Sequence, residues 1–420
     1  MHPQRQPSSV STMLDRSVVV TGWGAVSAYG WGVQHLAPVF AGKTAVARHR
    51  LSELPGATDL WAAKLTQTLP EGMFDRRVED ADRVTQMSVF AANQAMQIAR
   101  LDPVHVGMLG WGTGFGGAAT LDGAYQRLYL GQHDLSGRVS PLTIPKAMNH
   151  ASAASIAAWA RLDCPVMTYS NACASSAVAI GEAILAIAQG RCDVAIVGGS
   201  EALIVPGVVK AWESLGALAK SVSNQSHMDW HGPFDQFRNG FVLGEGAACL
   251  VLESGSHAQA RGAQVLAHCL GYAQVNDPAC VTHPHAEPQL RSMYAALQQA
   301  GIKTHQVAYV NAHATGTLAG DASEIDALNA LFQTSDALVS STKGATGHLM
   351  GAAGAMEAIL SINALRLKKC PPNTGVRRLD SRIRFKVPLK SKPLQPLGVC
   401  LSNSFAFGGT NVSLVFKSHE

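Results

Sequence analysis

The sequence predicts an α/β protein built on a mostly parallel sheet with helices on its faces. Three observations carry this. Short β-branched runs alternate with longer helical patterns along the chain, the rhythm of βαβ crossovers. Forty glycines and only 6% aromatic residues point to many tight turns and close helix–sheet contacts. With 47% hydrophobic and 15% charged residues in 420, the chain can bury a large core.

The first fifteen residues, MHPQRQPSSVSTMLD, are polar and lack an apolar signal core, so a loose tail and a cytoplasmic protein are expected. The first strand is read at Ser17 to Thr21, closed by Gly22. A helical region follows around Gln34 to Phe40, then a polar, Pro-interrupted stretch to about Arg83, then a helix through Ala99. The segment VGMLGWGTGFGG reads as a buried strand entering a glycine turn. Further strands are expected at Val166 to Tyr169, Val194 to Val197, Ala248 to Leu252, Val307 to Val310, Leu338 to Ser341 and Leu397 to Ser402, and a last one closes the chain after SFAFGGTN. The two halves repeat one rhythm, which hints at a duplication with a seam near residues 255 to 270.

No apolar run reaches the ~20 residues of a membrane span. A net charge of +4 without a basic block excludes a nucleic-acid footprint, while leaving room for a small acidic partner. Eight scattered cysteines agree with reduced thiols.

Four stretches carry chemistry. In VMTYSNACASSAVAIGEAILAIA a strand stops at a small-residue turn and a helix begins at Cys173. Unpaired N–H groups and the dipole of a helix start favour thiolate over thiol, so a lowered pKa and a nucleophile are expected there. NAHATGTLAGD delivers His313 at a strand end, and STKGATGHLMGAAGAMEAI delivers Lys343 and His348 ahead of a helix carrying Glu357. SNSFAFGGTN closes the set with a Phe/Gly turn. In parallel sheets ligands meet the C-terminal strand ends, so these loops converge on one site.

These motifs, with VVVTGWGAVS and PFDQFRNGFVLGEGA, make the chain resemble the elongating β-ketoacyl-acyl-carrier-protein synthases from about residue 16 onward. The resemblance implies a thiolase-like fold: duplicated βαβαβ halves in a layered α-β-α-β-α architecture. Residues 1–15 would be the tail, 16–262 the half carrying the nucleophile, and 263–420 the half carrying both histidines. It implies a decarboxylative condensation of a carrier-bound acyl chain with malonyl carrier protein. Cys173, His313 and His348 would be the triad, and Lys343 would keep His348 neutral while pairing with Glu357. The amides of Cys173 and Phe407 would form an oxyanion hole, Phe407 serving also as a gate.

Thr315 and Thr317 match positions that hold the phosphopantetheine arm. Asp321 and Glu324 resemble an acidic network, and capping of the following helix is the preferred reading. Ala406 stands where the family's turn has glycine, so a restricted gate is expected. Phe115 matches a residue that lines the acyl pocket, and its bulk predicts short or unsaturated chains.

No metal and no tightly bound cofactor are expected, and Cys280, His283 and His285 lack the spacing of a zinc site. The expected partners are an acyl carrier protein and a second copy of the chain, with a ketosynthase/chain-length-factor heterodimer as the alternative. The family's dense basic docking cluster is thin here. Arg83 has few companions, and Arg76, Arg77, Arg138 and Lys210 are the candidates to replace it. A thiolase is disfavoured because the last turn lacks a cysteine. A chain-initiating synthase is disfavoured because it uses asparagine where His348 stands.

Overall fold

A computed structural model describes residues 16–51, 58–130, 139–220, 230–279, 281–395 and 398–419. The main sheet is built from two sets of strands. The first comprises β1 (Val18–Ser27), β2 (Met108–Gly112), β3 (Val166–Tyr169), β4 (Val194–Glu201) and β5 (Gly246–Ser254). The second comprises β6 (Ala267–Asn276), β7 (Val307–Asn311), β8 (Leu338–Ser340), β9 (Val399–Phe405) and β10 (Thr410–Ser418).

Their order across the sheet is β8-β7-β9-β10-β6-β1-β5-β4-β2-β3. Outward from the β1–β6 junction, both sets follow the same sequence: first, fifth, fourth, second, third. In each, the second strand runs parallel to the third and fourth, and the fifth runs antiparallel to the fourth and first. The duplication hinted at by rhythm is therefore present in topology. Antiparallel pairing of Val18 to Val20 with Cys269 to Ala267 joins the halves.

Helices α1 (Arg83–Ala99), α2 (Ala118–Leu130), α3 (Ala151–Ala160), α4 (Ser175–Ala188) and α5 (Pro206–Leu215) belong to the first half. Helices α6 (Ala286–Gln299), α7 (Leu318–Phe332) and α8 (Ala353–Arg366) belong to the second. α1 packs outside on β1, β5 and β4, and α6 outside on β6 and β10, while α4 and α8 touch strands of both halves. This gives five layers, with α4 and α8 in the middle. Both middle helices are apolar nearly all round and rich in alanine, as a helix pressed between the two sets of strands must be.

Several sequence readings need correction. Gly22 does not close the first strand, which continues to Ser27. A Cβ at Gly22 or Gly24 would lie 2.2 or 2.0 Å from the carbonyl oxygens of Ala95 and Ala91, so these glycines admit α1 against the sheet. The polar stretch before Arg83 contains the antiparallel pair Ala47–Leu51 and Thr58–Ala63. β6 had no counterpart in the reading, because its alternating exposure lacks a continuous apolar run. Residues 1–15, Arg138 and Cys280 lie outside the described residues.

Candidate active site

The strand ends converge as the pattern required. After β3, the turn passes through Asn171 and Ala172, whose φ of 48° is in the left-handed region, and a short 3-10 turn, Ala172–Ala174, carries Cys173. Ser175 Oγ accepts from the amide of Asn171 at 2.9 Å and donates to the carbonyl of Ala172 at 2.6 Å, holding this unusual backbone closed. α4 therefore begins two residues after the cysteine rather than at it.

His348 follows Gly347. Its amide donates to Val242 O at 2.7 Å and its carbonyl accepts from Gly244 N at 2.9 Å, so the backbone is pinned like a strand residue. His313 follows β7, and its amide donates to Glu324 Oε1 at 2.9 Å.

Cys173 Sγ lies 3.0 Å from His348 Nε2. The ligand-type atoms of Cys173, His313 and His348 all lie within 4.8 Å of one another, and the three residues are buried. The two imidazoles meet edge to face, 5.4 Å between centroids at 82°. Phe241 stands edge-on to His348 at 5.7 Å, and Met350 Sδ is 3.9 Å from Cys173 Sγ. Lys343 Nζ donates to Glu357 Oε1, a fully buried ion pair.

Electrostatics here are set by burial. Burial pushes the Cys173 thiol up to about 12, and the Lys343 cation only partly offsets this. The direction is opposite to the lowered pKa expected from a helix start: the helix begins only at Ser175, and loss of water raises the thiol. Both histidines are held well below the ordinary imidazole range, first by burial and then by Lys343. The resting site is a neutral thiol beside neutral imidazoles. Burial raises the Glu357 carboxyl, with Lys343 opposing.

A cavity of about 350 Å³ opens onto these residues, lined by Trp212, Phe241, Phe405 and Phe407 and, towards its mouth, by Thr315, Thr317 and His283. Thr315 and Thr317 share a hydroxyl contact of 3.1 Å, and Thr317 also caps α7 by accepting from Gly320 N. Asp321 and Glu324 do not cap that helix. Glu324 accepts from the amides of His313 and Ala314, and Asp321 from those of Thr315 and Gly316, so both hold the loop that presents His313.

Phe115 is a second correction. Its ring is half exposed and lines a neighbouring cleft with Leu121, Tyr125 and Trp212, outside the Cys173 cavity. The Phe115 amide is drawn onto the buried Glu201 carboxylate, which fixes the loop in that position. In the Phe407 turn the left-handed φ values fall on Gly408 and Gly409, at 80° and 84°, so Ala406 fits without strain. Arg76 and Arg77 pair with Asp80 and Asp75, and Arg83 with Glu245, so none is a lone docking cation. His285 Nδ1 sits 2.9 Å from Asp277 Oδ2.

Trp212, Phe241, Met350 and Glu201 were not singled out from sequence. For Glu201 a signal existed, since a carboxylate ends an apolar strand on the same edge as the cysteine loop.

The Beta-ketoacyl synthase, N-terminal domain model matches residues 15–258, and the Beta-ketoacyl synthase, C-terminal domain model matches 266–377. The chain belongs to the β-ketoacyl synthase family. It is similar to nodulation protein E of Rhizobium sp. (strain N33), 35% identical over 412 residues that span 96% of this chain and 100% of the relative. It is 33% identical to 3-oxoacyl-[acyl-carrier-protein] synthase 2 of Rhizobium meliloti (strain 1021), covering 96% of this chain and 99% of the relative. A solved structure described as the ishigamide ketosynthase/chain length factor matches with a TM-score of 0.87 at 27% identity, covering 97% of this chain and 100% of that one. This β-ketoacyl synthase is accordingly an acyltransferase-type enzyme of thiolase-like fold. Among its described residues, no helix is long and apolar enough to cross a membrane.

Proposed function

We propose that this β-ketoacyl synthase joins a carrier-bound acyl chain to a malonyl extender at Cys173, His313 and His348. The observation that carries it is the 3.0 Å approach of Cys173 Sγ to His348 Nε2 within a buried cluster that also holds His313. As Sγ attacks the acyl thioester, its proton passes toward the imidazole, and the tetrahedral oxyanion is met by the amides of Cys173 and Phe407. Collapse expels the carrier's phosphopantetheine thiolate, which takes the proton. The malonyl thioester then loses carbon dioxide by breaking its bond to the carboxylate. The enolate oxygen receives N–H bonds from the two neutral imidazoles, and the enolate carbon attacks the Cys173 thioester, releasing the thiolate. Thiolate and imidazoles supply this chemistry without a resident cofactor or metal.

Aromatic walls and a modest volume favour a short or unsaturated acyl chain in a fatty-acid or polyketide pathway, with Phe115 standing behind the Trp212 wall rather than on the cavity itself. The enzyme works in the cytoplasm with an acyl carrier protein, as a homodimer. Support for the dimer comes from the edge strand β3, where Val166 and Met167 are exposed. The match to a ketosynthase/chain length factor supports a second reading, in which the partner is a non-identical subunit.

Intact-protein mass spectrometry after offering acyl carriers of different length and unsaturation tests the proposal. A short or unsaturated adduct on Cys173 supports it, and efficient loading of palmitoyl overturns the chain preference. Size measurement of the chain expressed alone, together with its activity, separates the two assemblies.

A further inference from the structure

Glu201 ends β4 as a fully buried carboxylate, and its four hydrogen-bond donors come from both halves of the fold. Oε2 accepts from Gly114 N at 2.7 Å and Gly351 N at 3.0 Å. Oε1 accepts from Phe115 N and Thr113 Oγ1, each at 3.2 Å. Gly351 follows Met350, whose sulfur touches Cys173 and whose φ of 46° is another left-handed non-glycine position. The Thr113–Phe115 loop carries the ring that stands 6.5 Å from Trp212, and Trp212 walls both the Cys173 cavity and the Phe115 cleft. One side chain therefore ties the turn behind the nucleophile to the loop on the far side of the cavity wall.

A parallel exists in the second half, where Glu324 holds the amides of the loop after β7, the strand equivalent to β2. There the held loop presents His313. In the first half it presents Phe115.

We propose that Glu201 is a positioning residue that locks the Phe115 loop to the Met350–Gly351 turn, keeping the Phe115–Trp212 partition closed and limiting the tail length that Cys173 accepts. This rests on the reading of Cys173 as the acyl-bearing nucleophile. Four donors and no cation hold the carboxylate, and in so dry a site an unmet amide is costly. Oε1 holds the Phe115 loop alone, while Oε2 bridges Gly114 of that loop to Gly351, so replacing the carboxylate loosens the loop and weakens its tie to the turn.

The test uses alkylating probes that need no carrier: iodoacetamide, and N-alkyl iodoacetamides with hexyl and dodecyl tails. Labelling at Cys173 is read by intact mass and peptide mapping in wild type, Glu201→Gln, Phe115→Ala and the double variant, with thermal midpoints recorded. Glu201→Gln should raise the dodecyl-to-iodoacetamide rate ratio by about three- to tenfold, the factor carried by about one net hydrogen bond. Phe115→Ala should raise it similarly, and the double variant should do little more than the larger single change, because both act on one partition. Thr113→Val, which removes one donor from the loop side, should shift the ratio the same way by less and serves if Glu201→Gln does not fold. An unchanged ratio in folded Glu201→Gln or Thr113→Val protein overturns the proposal, as does full additivity with Phe115→Ala. Wild-type Cys173 that is alkylated normally but takes no acyl group from any carrier would refute the functional reading instead, since the probe ratios judge Glu201 on their own.

Discussion

The thiol of Cys173 and the imidazole of His348 meet at 3.0 Å with neither group charged. A sulfur that rests as a thiol is shielded from adventitious oxidation, because the thiolate is the reactive form. This differs from a helix-activated thiolate, and the difference can be measured. With the thiol pushed up to about 12, the rate of Cys173 alkylation by iodoacetamide should rise about tenfold per pH unit across the alkaline range, without a plateau near neutral pH. A plateau near neutrality would show an activated thiolate.

Lys343 pulls the Cys173 thiol pKa down and also depresses both histidines. Lys343→Met should therefore raise the thiol pKa further and slow alkylation at a given pH. It should also strand Glu357 as an unpaired buried carboxylate, costing about 3 to 5 kcal/mol of stability. Adding Glu357→Gln should recover much of the stability but not the reactivity. Thermal melting and alkylation rates on the two variants separate these effects.

Glu324 is raised by burial from 4.5 to about 7, against the amides and Asn403 that favour its charged form. Because the folded-state pKa lies above the unfolded one, its contribution to stability is complete below about pH 4.5 and is lost as pH rises through about 7. Glu324→Gln lacks this dependence. Its melting midpoint should fall below wild type at acidic pH and gain on wild type as pH rises across that window. Parallel midpoints at every pH would contradict the assignment.

Much of this site is legible in the sequence. Local rules place Cys173, His313, Lys343 and His348 in small-residue turns after strands, and the resemblance to the β-ketoacyl synthases, not local pattern alone, assigns them with the helical Glu357 to one site. Contacts that cross the sequence were not legible. Glu201 meets Gly351, 150 residues away, and nothing local announces that a carboxylate will accept four donors. The same blindness misplaced Phe115, since its side chain follows a loop held by Glu201. The thiol pKa was misjudged for a related reason: a helix start is visible in sequence, whereas complete removal from water is a property of the packed cluster. Gly22 was read as a strand end because sequence shows the glycine and not the helix it admits.

The most direct test measures carbon dioxide release from malonyl carrier protein by Cys173-acylated enzyme, comparing wild type with His348→Asn and checking the adduct by intact mass. The account predicts that the variant still forms the acyl adduct but loses carbon dioxide release by ~100-fold or more, the usual scale for removing one donor to a developing oxyanion. Release at the wild-type rate from the loaded variant would contradict it.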